Sequence, residues 1–309
     1  MKIKRMIPWL IGMSMLAACA PQAEIIETTE VLAVIEVIET SAAPTPIPPT
    51  ATVLPVLSEA QLKQATYYVP VYQRQVTLVD GHYEAPGELT VNLLPWMAFG
   101  DLNSDGLQDA AVLLAENGGG TGTYVSLVTV INQNGQPMQA GTTLIDDRPI
   151  ISGIEIFSGK IIVSGTIHSL SDPFCCPTLP VQQHYTLDGD TLVLLRQTSS
   201  TPGGLVREIN ITNPLMGSES GSVVQVTGDM PIAPFENNLL YRVYDLGFNP
   251  LDAGPFMVNA NEPGGPAQFN NALSSPAFIP GSVIWLELSE LSAADGTPLV
   301  IERIKLTIR

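Results

Sequence analysis

The chain has 309 residues, and its 30 Asp and Glu outnumber 13 Lys and Arg to give a formal net charge of −17. That balance argues against a nucleic-acid ligand and against electrostatic docking on anionic lipid, and it favours cation binding. Gly and Pro are frequent at 26 each, charged residues are sparse, and Val, Ile, Leu and Thr are plentiful, which fits strands and turns better than helices. The length suggests two domains plus a tether.

Lys2, Lys4 and Arg5 precede an apolar run from Met6 to Leu16, and the small residues Ala17 and Ala18 lead to Cys19. Basic, then apolar, then small is the layout of a secretory signal over residues 1–18. The run of about 11 residues is shorter than the ~20 that span a bilayer. With Cys19 directly after Leu16-Ala17-Ala18, the segment resembles a bacterial lipoprotein signal. The resemblance implies cleavage before Cys19, lipid on its sulfur and amine, and a lipid-anchored protein on the extracytoplasmic face of the cell membrane. An ordinary signal peptide with a cysteine near its cleavage site is the alternative. One acyl chain anchors marginally and two or more anchor stably, and a lipoprotein cysteine carries more than one.

Residues 19–58 read as a disordered tether. The piece IIETTEVLAVIEVIET is compatible with a short helix or a strand. Ala43 to Pro55 reads APTPIPPTATVLP, which cannot build a core and in extended form spans roughly 40 Å.

Residues 59–198 form the first expected domain, an antiparallel β meander. Only Ser58 to Thr66 looks helical, with Ser58 as the cap and Leu62 and Ala65 on one face. Strands are expected at Leu89–Leu94, stopping before Pro95, and at Ala110–Leu114, Tyr124–Ile131, Ile150–Phe157, Lys160–Ile167, His184–Leu187 and Thr191–Leu195. Asn134-Gly135 and Ser158-Gly159 are tight hairpin signals.

The first chemical motif is Asp101-Leu102-Asn103-Ser104-Asp105-Gly106-Leu107-Gln108-Asp109. Oxygen side chains stand at loop positions 1, 3, 5 and 9, with Gly106 where a calcium loop turns sharply. Asp101, Asp105 and Asp109 offer carboxylates, Asn103 an amide oxygen and Leu107 its carbonyl. The alternative is a hairpin whose Asp and Asn side chains cap turn amides without metal. Position 12 is Val112, so the bidentate Glu of an EF-hand is missing, and the flanks are strand-like. The loop therefore resembles the calcium loop of FG-GAP repeats, in a single copy that does not support a propeller. Calcium here is expected to be structural, with an affinity on the order of 10⁻⁴ to 10⁻³ M.

The second motif is Cys175-Cys176 within Asp172-Pro173-Phe174-Cys175-Cys176-Pro177. In an oxidising compartment these cysteines have each other or nothing. They read as a vicinal disulfide, as reduced buried thiols, or as a redox or metal pair. A vicinal ring adds little global stability, because the loop-entropy gain grows with loop length. The Asp loop, Gly118 to Gly122, Asp147-Arg148 and Cys175-Cys176-Pro177 together resemble an uncharacterised module of bacterial exported lipoproteins, and no activity comes with that resemblance.

Residues 199–221 are expected to be a linker, and residues 222–309 a second domain. Strands are expected at Val223–Gly228, Leu239–Asp245, Phe256–Ala260, Val283–Ser289 and Leu299–Ile308. In the fourth, Ile284, Leu286 and Leu288 alternate with Trp285 and Glu287. Gly228, Pro234-Phe235-Glu236-Asn237, Leu239 to Asp245, Gly281, Val283 to Ser289 and Ala294-Asp295-Gly296 make this unit resemble the Gmad2 domain, the immunoglobulin-like domain of bacterial spore-germination proteins. The resemblance implies a β-sandwich that mediates interactions at the cell surface, and a shared fold does not carry over a germination role.

No G-x-S-x-G, H-E-x-x-H or strand-bound G-x-G-x-x-G occurs. The histidines are His82, His168 and His184, and the spacing of His168 and His184 to the cysteines matches no zinc pattern. Glu84, Glu88 and Glu116 are acids available for glycoside hydrolysis, but isolated loop acids are usually just solvated. The sequence reads as a non-enzymatic envelope lipoprotein. It presents a calcium-stabilised β domain and an immunoglobulin-like domain to an envelope protein or glycan, with no nucleic acid involved. The rival reading is an exported carbohydrate- or peptidoglycan-active hydrolase with its site in residues 59–198.

Overall fold

The computed structural model describes residues 54–309. The leader, Cys19 and the tether as far as Val53 lie outside the described residues. The described chain is nearly all β, with almost every strand pair antiparallel, in agreement with the expected fold class. Among the described residues no helix is long and apolar enough to cross a membrane.

One helical turn, α1 (Glu59–Leu62), opens the fold. Ser58 caps it as expected: Gln61 N donates to Ser58 Oγ at 3.3 Å, and Ser58 N donates to Gln61 Oε1 at 2.9 Å. A hairpin of β1 (Thr66–Val69) and β2 (Arg74–Thr77) follows. Residues 55–57, expected at the end of the tether, are already docked. Val56 bridges Gln108, Asn132 Nδ2 donates to Pro55 O at 2.8 Å, and Leu57 is buried.

Five strands then run as a meander in sequence order: β3 (His82–Ala85), β4 (Leu89–Gly100), β5 (Asp109–Asn117), β6 (Tyr124–Gln133) and β7 (Gln136–Asp147). The turn between β6 and β7 is Asn134-Gly135, with φ of 52° and 88°, the positive pair that a two-residue hairpin turn of type I′ needs. The expected end of β4 at Leu94 is corrected, because the strand continues to Gly100. Its register slips between Leu93 and Met97, so Pro95 falls in a bulge where its missing N–H breaks no ladder.

Asp109 to Glu116 of β5 are buried without interruption. On one face Val112 and Leu114 pack with Leu62 and Tyr67. On the other, Ala111 and Leu113 pack with Ile161 and Val163. Cover on both faces explains why this strand is an unbroken apolar run rather than an alternation.

The next strands are β8 (Ile150–Phe157), β9 (Lys160–Ile167), β10 (Leu179–Asp188) and β11 (Thr191–Ser200), the last three each antiparallel to the one before. After them come β12 (Val206–Arg207), β13 (Asn210–Asn213), β14 (Glu219–Ser220), β15 (Val223–Met230), β16 (Asn238–Tyr244), β17 (Pro250–Met257), β18 (Asn259–Ala260), β19 (Ala267–Ser274), β20 (Val283–Leu291) and β21 (Pro298–Ile308).

The expected linker, 199–221, is therefore not a bare spacer. Its three short strands pair with β11, β15 and β21 respectively. The expected domain boundary is also crossed by a sheet. β11 pairs β21 at Arg196↔Glu302 and Gln197↔Ile301, so one ten-stranded sheet runs β17-β16-β20-β21-β11-β10-β9-β8, with β12 and β14 added at its side.

The smaller sheet β13-β15-β19-β18 shares one apolar core with β16, β17, β20 and β21, through residues such as Val226, Phe269, Leu239, Phe256 and Leu286. That arrangement is compatible with an immunoglobulin-like fold. Ile284, Leu286 and Leu288 enter this core, as their alternation predicts. Trp285 and Glu287 on the opposite face are equally inaccessible. Val193 and Leu195 of β11 cover Trp285, and Arg242 and Arg303 hold Glu287.

Candidate functional site

The Asp101–Asp109 loop joins β4 to β5. Asp101 Oδ1 accepts from Ser104 N at 2.7 Å and Asn103 N at 3.3 Å, and Asp101 Oδ2 accepts from Gly106 N at 3.0 Å. Asp105 Oδ1 accepts from Leu107 N at 2.7 Å, and Asp105 Oδ2 from Asn103 Nδ2 at 2.9 Å. Gly106 has φ 81°, so the sharp turn at loop position 6 is present and suits glycine. The side chains of Asp101, Asn103 and Asp105 thus lie along a tight, largely exposed turn.

Asp109 is different. It is fully buried, with Oδ2 accepting from Leu102 N and Oδ1 from Asn132 N, each at 2.9 Å. Burial raises its pKa above the usual carboxylate value, the two amide bonds oppose that, and the charges of Asp105 and Asp101 push it further up. Among the described residues no Lys, Arg or His forms an ion pair with any of the three carboxylates. No group of three or more His, Cys, Asp or Glu side chains meets at one point among the described residues. The donor set fits a hard cation in kind: three carboxylates, the Asn103 amide and the Leu107 carbonyl, with no competing cation. Val112 at position 12 is buried in β5 and offers no oxygen.

No sequence motif singles out Asn132, which ends up at the centre of this corner. It is buried, its N donates to Asp109, Nδ2 donates to Pro55 O and to Gln108 O at 3.1 Å, and Oδ1 accepts from Gly135 N at 2.6 Å. It therefore ties the Asp loop, the start of the fold and the β6–β7 turn together. The available signal was an Asn three residues before the Gly of a hairpin turn, the spacing at which a side chain reaches the turn amide.

The cysteine loop, residues 168–178, connects β9 to β10. Cys175 and Cys176 are joined as a disulfide, and both are exposed, so the reading as buried thiols is corrected. Asp172 clamps the loop base, accepting from Ser169 N at 2.9 Å, Thr178 N at 2.8 Å and Thr178 Oγ1 at 2.8 Å. Desolvation opposes its ionisation, but those bonds outweigh it and bring its pKa down to about 2. The loop is also tied to the turn between β20 and β21. Leu170 N donates to Thr297 Oγ1 at 2.7 Å and Ser171 N to Asp295 Oδ2 at 3.1 Å.

At the start of this loop, His168 Nδ1 lies 2.8 Å from Asp146 Oδ2. Desolvation lowers the His168 pKa, and the bond and charge of Asp146, with Asp172 and Asp147, more than offset it, so the net direction is upward. The Gly118–Gly122 turn is held by Asn117, whose Nδ2 donates to Gly122 O at 2.6 Å, and Thr123 N donates to Asp147 Oδ1 at 2.8 Å. Gly118 lies against Tyr72, where an added Cβ would come within 2.5 Å of the ring. The glycine turn and Asp147-Arg148 thus meet at one end of β5, while the Asp loop sits at its other end.

The acids considered for hydrolysis are not brought together. Glu84 and Glu88 are exposed beside His82 and Arg74. Glu116 is corrected from a solvated loop acid to a strand residue with no exposure, bonded to Ser126 Oγ at 2.6 Å, its pKa raised by burial. No family model matches this chain, and no curated protein matches it.

Proposed function

We propose that this is a non-enzymatic lipoprotein of the cell envelope, anchored through a lipidated Cys19 on the extracytoplasmic face. It presents a calcium-stabilised β half and a Gmad2-like, immunoglobulin-like sandwich as interaction modules for an envelope protein or glycan. The observation that carries the reading is the order of Lys2, Lys4 and Arg5, the apolar run and Leu16-Ala17-Ala18-Cys19. Support for a non-catalytic role comes from the candidate hydrolytic acids, one sealed in a strand and two dispersed on the surface. Support for calcium comes from three carboxylates that have no ion-paired Lys, Arg or His among the described residues.

The test is fractionation of a bacterial host expressing the chain and its Cys19→Ala variant. The parent is expected in the membrane pellet and the variant outside it. Equal partition of the two would refute the anchor.

A further inference from the structure

A hollow of about 670 Å³ opens where three turns of the C-terminal half meet: the β15–β16, β18–β19 and β20–β21 connections. Phe235 stands at its edge with 67% of its surface exposed. The same ring borders a second hollow of about 480 Å³, which shares Glu236 and Leu291 with the first. Glu236 and Asn237, the next two residues, have φ of 55° and 53°. Two successive non-glycine residues in the left-handed region are uncommon and cost conformational energy. The turn therefore holds an apolar ring in water at a cost, with no part of the described chain covering it.

The lining adds an independent observation. Glu290 is 3% exposed, its Oε1 accepts from Arg207 Nη1 at 2.7 Å, and its Oε2 has no partner. A buried carboxylate oxygen without a partner is expensive, and such groups in native folds call for an explanation. Burial raises the Glu290 pKa in spite of Arg207. Around Phe235 the wall is apolar, with Ile232, Pro234 and Leu299. Glu236 and Glu262 are exposed on the lining, and Arg207, already committed to Glu290, is the one basic residue there.

We propose that this hollow receives a lysine or arginine side chain presented by a partner protein. The aliphatic stem lies on Phe235 and the apolar wall, and the cationic head faces Glu236 and Glu262. Charge selects this occupant. Beyond the Arg207–Glu290 pair the lining carries two exposed acids, Glu236 and Glu262, and no further basic residue, so an anion is repelled and a cation is favoured. The net charge of −17 draws basic partners by the same sign. The proposal rests on the reading of the C-terminal half as an interaction module.

The test follows backbone amide NMR shifts of the full chain as acetyl-Ala-Lys-Ala-amide is added, beside the same peptide with norleucine for lysine. The lysine peptide is expected to shift amides in 232–237, 262–264 and 290–294, and the norleucine peptide is not. Phe235→Ala, and separately Glu236→Gln with Glu262→Gln, should each weaken binding about tenfold. These residues are exposed, and an otherwise unchanged spectrum verifies that the fold is kept. Leu251→Ala, exposed on β17, should leave binding unchanged. Equal binding of the norleucine peptide, undiminished binding by Phe235→Ala, shifts elsewhere, or no shifts at all would overturn the proposal. A third arm adds a chito-oligosaccharide. If that probe alone shifts the same amides, the cationic side chain is wrong while the interaction module stands.

Discussion

Glu287 in the C-terminal half and Asp109 in the N-terminal half are both almost sealed from water, yet their surroundings differ. Two guanidinium groups reach Glu287: Arg242 Nη1 at 2.7 Å from Oε1, and Arg303 Nε at 2.7 Å from Oε2. Asp109 receives only the backbone amides of Leu102 and Asn132, and the charges that act on it are the like charges of Asp101 and Asp105. One half carries the counter-charge for its buried acid within the fold. The other places three acids along one loop with no ion-paired Lys, Arg or His among the described residues, which is why a divalent cation is proposed there.

The largest effect that can break this comparison is Glu287→Ala. Removing one member of a buried ion pair leaves the partner charges stranded, so a loss of about 3–5 kcal/mol is expected in chemical denaturation, unaltered by calcium. Dependence on calcium there would erase the distinction between the halves. Asp109→Ala should cost about 3 kcal/mol, because two buried amides lose their acceptors, and it should also abolish any response to calcium. Calcium at 10 mM should stabilise the parent by roughly 1.4–2.7 kcal/mol if its affinity is on the order of 10⁻⁴ to 10⁻³ M. Calorimetric titration checks the same point, and an absence of heat with millimolar calcium would remove the site.

The smallest effect lies in pH dependence, where the two loops have opposite signs. Asp109 has a folded pKa above its ordinary 3.8, so its contribution favours the fold below that value and fades as pH rises through the raised one. Asp172, with a folded pKa of about 2, contributes stability above 3.8 that is lost as pH falls toward 2. Asp172→Asn should therefore flatten the acid limb of a melting-temperature profile between those two values. An acid limb identical to the parent's would show that the clamp on the cysteine loop is energetically idle.

Features set by near neighbours in the chain were legible beforehand. Ser58 and Gln61 form their cap within one turn, Asn134-Gly135 and Ser158-Gly159 bend where their left-handed conformations allow, and Ile284, Leu286 and Leu288 alternate into a core. The tight turn of the Asp101–Asp109 loop, with Gly106 at φ 81°, could be named because its spacing is local. What depended on distant pairing was not legible. Arg196 meets Glu302 across a boundary drawn between them, and Trp285 is covered from β11. Leu170 and Ser171 bond to a turn more than a hundred residues away. In the sequence Pro95 signals a stop because its missing N–H normally ends a ladder, and only the partner strand reveals the bulge that accommodates it.

The central claim is anchored display outside the membrane, and intact-mass spectrometry of the protein recovered from host membranes tests it most directly. The account predicts a mature chain beginning at Cys19, heavier than its sequence by more than one acyl chain, with that mass removed by Cys19→Ala. A chain that keeps residues 1–18, or one that begins elsewhere with an unmodified Cys19 thiol, would contradict it.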